Sequence, residues 1–563
     1  MEVYFVNYFR GGPSGRYALI AHGLMFWLLG SAIFFRDTWR TGFDVVMGDL
    51  GDTRLIVFLH EHLYDWLRGV GELRSPPAYF PQQGTLGFSD AFLLDALPYA
   101  LFRTLGADPY LAMLMLQVAL SLLCFGCAAM VYLKYLRIRP LFAFAAAMLA
   151  TFPNNLFFKA GVGHINILGL YYLPLLVLLA LWAFEGFPRL TQRALWRGAA
   201  AGLLFALLFG TAYYVAWMFA LTLLIAGLCI GARYVIGGGR IRIERAALRP
   251  LARLLLAMAA GFAVGLVPFV HIYGPVLATA PVRSFATYLA LAPTPLGMLN
   301  VSGANWLWGW LVDALFGVPA SYDVERSLAV TPALTVIFLW AATRLLRRDG
   351  TAAQPWERLF LATCLGVFAL GWLLTLKIGD SSAFWLLYQA IPGGVAIRAG
   401  GRLQLVVNLW IVSGLALAFD RWSRSALAAE RSRRVMLACG LLTLCAVEQI
   451  NRHHGGLSRS REQAMIDAVP PAPAHCRSFF LDRPVNPDLF HFNAMAMAAA
   501  IDLPTLNGAS GLIPAGWQLE HYDAGYGAAV RRWVARRGLR DVCGYDETAG
   551  QWSAIVPLSV AID

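Results

Sequence analysis

Apolar runs of about 18 to 25 residues recur along the chain, the length a helix needs to cross a hydrocarbon core of about 30 Å. They begin near residues 16, 109, 140, 164, 197, 213, 250, 328, 358, 403 and 434, and short Arg-rich segments separate many of them. In lipid, backbone N–H and C=O groups must be satisfied within the segment, which selects helices. The pattern therefore predicts a mainly α, polytopic transmembrane helical bundle of about eleven spans. The stretch 88–105 is also apolar but is interrupted by Ser89, Asp90, Asp95, Pro98 and Arg103. Reading it as a juxtamembrane helix rather than a span puts the clusters around Arg137, Arg193, Arg245, Arg347 and Arg431 on one side, as the positive-inside rule requires.

With the amino terminus cytoplasmic, loops 37–108, 273–327 and 377–402 and the tail from about residue 449 lie outside. Segment 52–67 reads as an amphipathic helix on the outer surface with Asp52 as its N-cap, and Pro76, Pro77 and Pro81 break the chain after it. The tail has strand-like segments at 478–481 and 554–558 and a helix-like run at 526–537, which predicts a small extracytoplasmic α/β domain. Three units follow: 1–275 with external loop 37–108, a variable transmembrane module at 276–448, and the tail domain at 449–563.

Of the 563 residues, 59% are hydrophobic and 14% charged, against roughly a quarter charged in a soluble domain. The net charge of +12 falls in short loops rather than on one stripe, so it reads as a topology signal and not as a nucleic-acid surface. Gly237-Gly238-Gly239 has no preceding strand and no following Lys-Ser/Thr, and so reads as a turn, not a phosphate loop. The first span lacks a small-residue cleavage site and reads as a retained anchor. Cys124 and Cys127 sit in an apolar run as packing residues. Cys476 and Cys543 fall in the polar tail and can pair if it is exported to an oxidising compartment.

Three carboxylates, Asp44, Asp49 and Asp52, crowd the loop just after the first span. The arrangement of one span, a long acidic external loop with two juxtamembrane helices, and six further spans covers about the first 275 residues. Together with Gly48-Asp49-Leu50-Gly51-Asp52-Thr53-Arg54, Ser89-Asp90 and Gly163-His164-Ile165-Asn166, it resembles the GT-C superfamily of integral membrane glycosyltransferases. The resemblance implies a polyprenyl-phosphate-linked sugar as donor and an acidic residue of the first external loop at the active site. The chain departs from the Asp-Glu pair common in mannosyl and aminoarabinose transferases of that superfamily.

Glycosyl transfer with inversion needs a base for the acceptor hydroxyl, and a positioned carboxylate supplies one. Asp44 ranks first because it lies closest to the end of the span, followed by Asp49 and Asp52; the two latter also suit helix capping. His164 can be a base, a metal ligand or a hydrogen-bonded core residue. His60 and His62 point to different helix faces. The leaving phosphate needs cations, for which the outward candidates are Arg74, Lys159, Arg283, Lys377, Arg398 and Arg402. Arg398 and Arg402, flanking a Gly pair, are the strongest of these. Trp306 and Trp308 can wall a sugar or polyprenyl groove or belong to an interfacial aromatic belt.

No obligatory cofactor is expected, and a divalent metal is an option. The expected activity is transfer of a sugar to an extracytoplasmic glycan, lipid or protein of the cell envelope. The protein would sit in the inner (plasma) membrane among its lipids, with its active site facing the periplasm or exterior. The rival readings are a transporter or lipid flippase with a periplasmic domain, which would place ionisable residues at midplane, and a noncatalytic envelope assembly factor.

Overall fold

Each of the eleven apolar runs is helical in the computed structural model, which describes residues 13–236, 245–278, 283–347, 354–425, 427–453 and 456–553. The expected turn at 237–239 and strand at 554–558 lie outside these residues. Among the described residues, nine helices are long and apolar enough to cross a membrane: Gly15–Phe34, Pro109–Tyr135, Pro140–Gly161, Ile165–Phe184, Gln192–Thr211, Tyr213–Ile236, Ala246–Leu277, Pro355–Thr375 and Gly400–Arg424. The runs near 328 and 434 fall short for different reasons. Pro332–Arg347 has only 16 residues and ends on Arg344 and Arg347. Ala428–Val447 opens on Glu430, Arg431, Arg433 and Arg434, so its first turns are charged.

Pro140–Gly161 and Gly400–Arg424 are buried along most of their length, whereas Ala246–Leu277 is mostly turned away from the protein. That outer helix is held by close backbone approach to Gln192–Thr211. A Cβ on Gly202 would lie 1.9 Å from the Met258 carbonyl oxygen, and one on Gly261 would lie 1.9 Å from that of Ala199. In lipid, such small-residue contacts replace the hydrophobic drive for helix association.

The stretch 88–105 does not span. It contributes the nine-residue helix Ala96–Thr104 after a short 3-10 turn, Thr85–Phe88. The expected amphipathic helix is Asp52–Leu67, but its N-cap is Gly51, and Asp52 makes no capping bond. His60 Nδ1 meets the Ile56 carbonyl oxygen and His62 Nε2 that of Leu73, so the two rings have separate partners.

The tail carries a three-stranded sheet in which Ser478–Arg483 pairs parallel with Val542–Asp546, and the latter antiparallel with Gln551–Ser553. Tyr526–Arg537 is helical as expected, and Cys476 and Cys543 are joined in a disulfide. The tail is sewn to the first loop. Val45–Val46 pairs antiparallel with Leu457–Ser458, and the Tyr79 and Phe80 N–H groups donate to the Asn507 and Thr505 carbonyls. Arg54 clamps Glu462 with two bonds of 2.7 and 2.9 Å and also donates to Asn493.

Candidate active site

The loop before Asp52–Leu67 is shaped by two glycines and a reciprocal hydrogen-bond pair. Gly48 has φ +133, and a Cβ there would strike Thr53 Oγ1 at 1.9 Å. The Asp49 N–H donates to Thr53 Oγ1 (2.9 Å), and the Thr53 N–H donates to Asp49 Oδ1 (3.2 Å). Asp49 therefore does the capping expected of Asp52, and Asp52 is left to meet His164, Oδ2 to Nδ1, at 3.2 Å. Gly163, next to His164, receives the Asp49 carboxyl group: a Cβ there would sit 2.5 Å from Asp49 Cγ. Burial first, and the Asp52 charge second, push the Asp49 carboxyl above its usual range.

A cluster of cations faces this pair across one carboxylate that the sequence reading did not single out. Glu325 Oε1 lies 4.0 Å from His164 Nε2. Its oxygens accept from Lys159 Nζ at 2.6 Å and from Arg402 Nη2 and Nε at 2.5 and 3.1 Å, while Arg398 Nη2 lies 3.9 Å away. Burial alone would raise the Glu325 carboxyl, but Lys159 and Arg402 outweigh it and hold the group well below the usual range. Lys159, expected on an outer loop, is instead fully buried at the end of the span Pro140–Gly161. A lysine in an apolar segment needs a counter-ion, and only the packing shows that Glu325 supplies it.

Behind Arg402, Asp90 accepts from Asn166 Nδ2 (2.8 Å) and from the Tyr213 N–H (3.2 Å) at the start of Tyr213–Ile236. Burial pushes the Asp90 carboxyl upward despite these bonds. The Arg402 guanidinium lies over the Tyr214 ring at 4.8 Å, and the Tyr214 hydroxyl accepts from the Arg398 N–H at 2.8 Å. The three short motifs of the sequence thus meet: Asp49 and Asp52 from the first, Asp90 from the second, His164 and Asn166 from the third.

The remaining candidates have other partners. Asp44 accepts from Ser458 Oγ (2.8 Å) and the Ser460 N–H (2.9 Å), so it is tied to the first turn of the tail helix Arg459–Asp467, whose N-cap is Ser458. The Ser458 bond, followed by the Ser460 one, holds its carboxyl below the usual range. Asp44 also lines an open groove of about 410 Å³ with Asp108, Arg459 and Asp467, away from His164. Trp308 donates to Glu448 Oε2 (2.9 Å), whose carboxylate also accepts from the N–H groups of Ala333 and Leu334, and Trp306 is half-exposed. Lys377 lies 3.6 Å from Asp380, and Arg74 borders Gly84. Arg283 reaches the Ala396 carbonyl oxygen at 3.5 Å, close in sequence to Arg398.

Asp52 and His164 offer two ligand atoms 3.2 Å apart, the Asp49 carboxyl stands beside both, and Glu325 is already engaged by Lys159 and Arg402. Among the described residues, one group of three metal-ligating side chains has all its ligand atoms within 4.8 Å: His475, Cys476 and Cys543. Its two sulfurs are bonded to each other.

No family model and no curated protein matches the chain. It is similar to the crystal structure of the Archaeoglobus fulgidus oligosaccharyltransferase complexed with Zn and sulfate, at 12% identity and TM-score 0.48 over 93% of this chain and 68% of that one. It is also similar to ArnT from Cupriavidus metallidurans. The apo state matches at 11% identity and TM-score 0.36, over 96% of this chain and 94% of that one. The form bound to undecaprenyl phosphate matches at 10% and 0.34, over 95% and 94%. At this identity the likeness assigns no role to any residue here.

Proposed function

We propose that the chain is a membrane glycosyltransferase that moves a sugar, with inversion, from a polyprenyl phosphate to an extracytoplasmic acceptor. The observation that supports this most is the two-sided site. Asp49, Asp52 and His164 stand on one side of Glu325, and Lys159, Arg398 and Arg402 converge on the other. Asp49 takes the proton of the acceptor hydroxyl as the acceptor oxygen bonds to C1. The bond from C1 to the phosphate oxygen breaks, and the phosphate keeps the electron pair. A carboxyl raised by burial is the stronger base for this task at neutral pH. Arg402 and Lys159 neutralise the departing phosphate, Arg through its fork of donors. The charge asymmetry of the loops supports an outward-facing site.

The purified protein, incubated with a panel of polyprenyl-phosphate sugars and envelope acceptors, is expected to release free polyprenyl phosphate. Asp49→Asn is expected to slow the release by about 10²- to 10⁴-fold while the protein still folds. A transporter or an assembly factor would tolerate that substitution, and failure to release across the panel overturns the reading. The donor lipid is also expected to raise the unfolding temperature.

A further inference from the structure

Lys159 and Arg402 carry the two most enclosed positive charges of the site, their side chains 0% and 6% exposed, and both end on Glu325. Arg398, about half-exposed, stands 3.9 Å from the same carboxylate. Glu325 reaches them from a turn and not from a helix. The Asp323 side chain accepts the N–H groups of Glu325 (2.9 Å) and Arg326 (3.3 Å), and this sets the direction of the turn. Among the described residues, Glu325 is the one carboxylate that ion-pairs directly with Lys159 or Arg402, and Asp90 acts on Arg402 from farther away. The Glu325 oxygens also occupy the Nε and Nη2 donors of Arg402 in the paired manner in which a guanidinium grips a phosphate.

We propose that Glu325 is a displaceable counter-ion built into an anion subsite of Lys159, Arg398 and Arg402, and that a phosphate group enters this subsite by expelling the Glu325 carboxylate. Only the identification of the anion as a polyprenyl phosphate rests on the function proposed above; the displacement itself does not. The expelled carboxylate has a second partner within reach, because His164 Nε2 lies 4.0 Å away. His164 Nδ1 in turn meets Asp52 at 3.2 Å. Arrival of the phosphate is thereby passed to the carboxylate side of the site, and the base side is completed only after the donor headgroup is seated. Glu325 is thus a positioning residue that acts through His164.

The test titrates the wild-type protein and Glu325→Gln with inorganic pyrophosphate and, separately, with undecaprenyl phosphate. A neutral amide no longer competes for the cations, so Glu325→Gln is expected to bind each ligand at least about fivefold more tightly, the lower end of ordinary coupling between sites. Unchanged or weaker binding of both ligands overturns the proposal. Tighter pyrophosphate binding, with no binding of undecaprenyl phosphate to either protein, upholds the displacement and removes the polyprenyl-phosphate reading instead. A measurement on the wild type keeps the test independent of the variant's folding. Backbone hydrogen exchange of residues 323–327 is expected to speed up when pyrophosphate binds, and exchange that is unchanged or slower overturns the proposal.

Discussion

The Asp49 carboxyl group rests on the bare backbone of Gly163, so close that a methyl group there would lie 2.5 Å from the carboxyl carbon. Gly163 also has φ +108, a conformation that residues with a Cβ rarely adopt. Gly163→Ala is expected to move Asp49 and to lower turnover by about 100-fold, as small misplacements of a reacting group do. Backbone strain is expected to take about 1–3 kcal/mol of stability with it. Turnover and thermal unfolding measured on the same preparation check both effects, and an Ala variant with full turnover would place the reacting carboxylate elsewhere.

The proposed reaction needs Asp49 ionised, so activity is expected to fall as pH drops through its raised pKa. The Asp52 charge is the second cause of that elevation, after burial. Asp52→Asn is therefore expected to move the acid limb of the residual kcat/KM profile to lower pH. Asp49→Asn is expected to remove the limb together with about 10²- to 10⁴-fold of rate. A limb that stays in place in Asp52→Asn belongs to another group.

Glu325 is held below the carboxyl value of 4.5 that it has without partners. Its contribution to stability is therefore complete above that value and is lost as pH falls below it. Wild-type unfolding temperature is expected to drop on acidification below about pH 4.5, by more than that of Glu325→Gln. Parallel acid titrations of the two proteins would refute this if their curves have the same slope.

Arg54 and Glu462 join the first loop to the tail, with side chains 7% and 4% exposed. Arg54→Met leaves the Glu462 carboxylate buried without its cation and is expected to cost about 3–5 kcal/mol. The double variant Arg54→Met/Glu462→Met is expected to recover much of that loss, because no unpaired charge remains. Thermal unfolding and protease sensitivity of the tail report the outcome.

The bridge between Cys476 and Cys543 closes a separation of 67 residues within the tail. Replacing both with Ser is expected to lower the stability of the tail by about 2–5 kcal/mol. A reducing agent is expected to reproduce the loss in the wild type and to leave the Ser variant unchanged, as calorimetry would show.

Much of the candidate site was legible in the short motifs. Asp49 and Asp52 were marked by crowding after a span, His164 by the short motif that holds it, and Arg398 and Arg402 by flanking a Gly pair on an outer loop. Asp44 was ranked above Asp49 on distance along the chain. In space, Ser458 and Ser460 draw it to the tail helix, residues more than 400 positions away. Glu325 had no comparable mark, since it lies in a long loop beside Asp323 and Arg326 and gains its meaning only from Lys159 and Arg402.

The helices could be read from residue order because their hydrogen bonds are local and lipid leaves the backbone no other partner. Length and end charges, which decide whether a helix spans, are equally local, as Pro332–Arg347 and Ala428–Val447 illustrate. Ion pairs obey no period along the chain. Asp52 meets His164 and Lys159 meets Glu325 only because packing of the spans and loops brings them together. The three neighbouring aspartates received their different partners there too: Thr53 and Gly163 hold Asp49, His164 meets Asp52, and the tail binds Asp44.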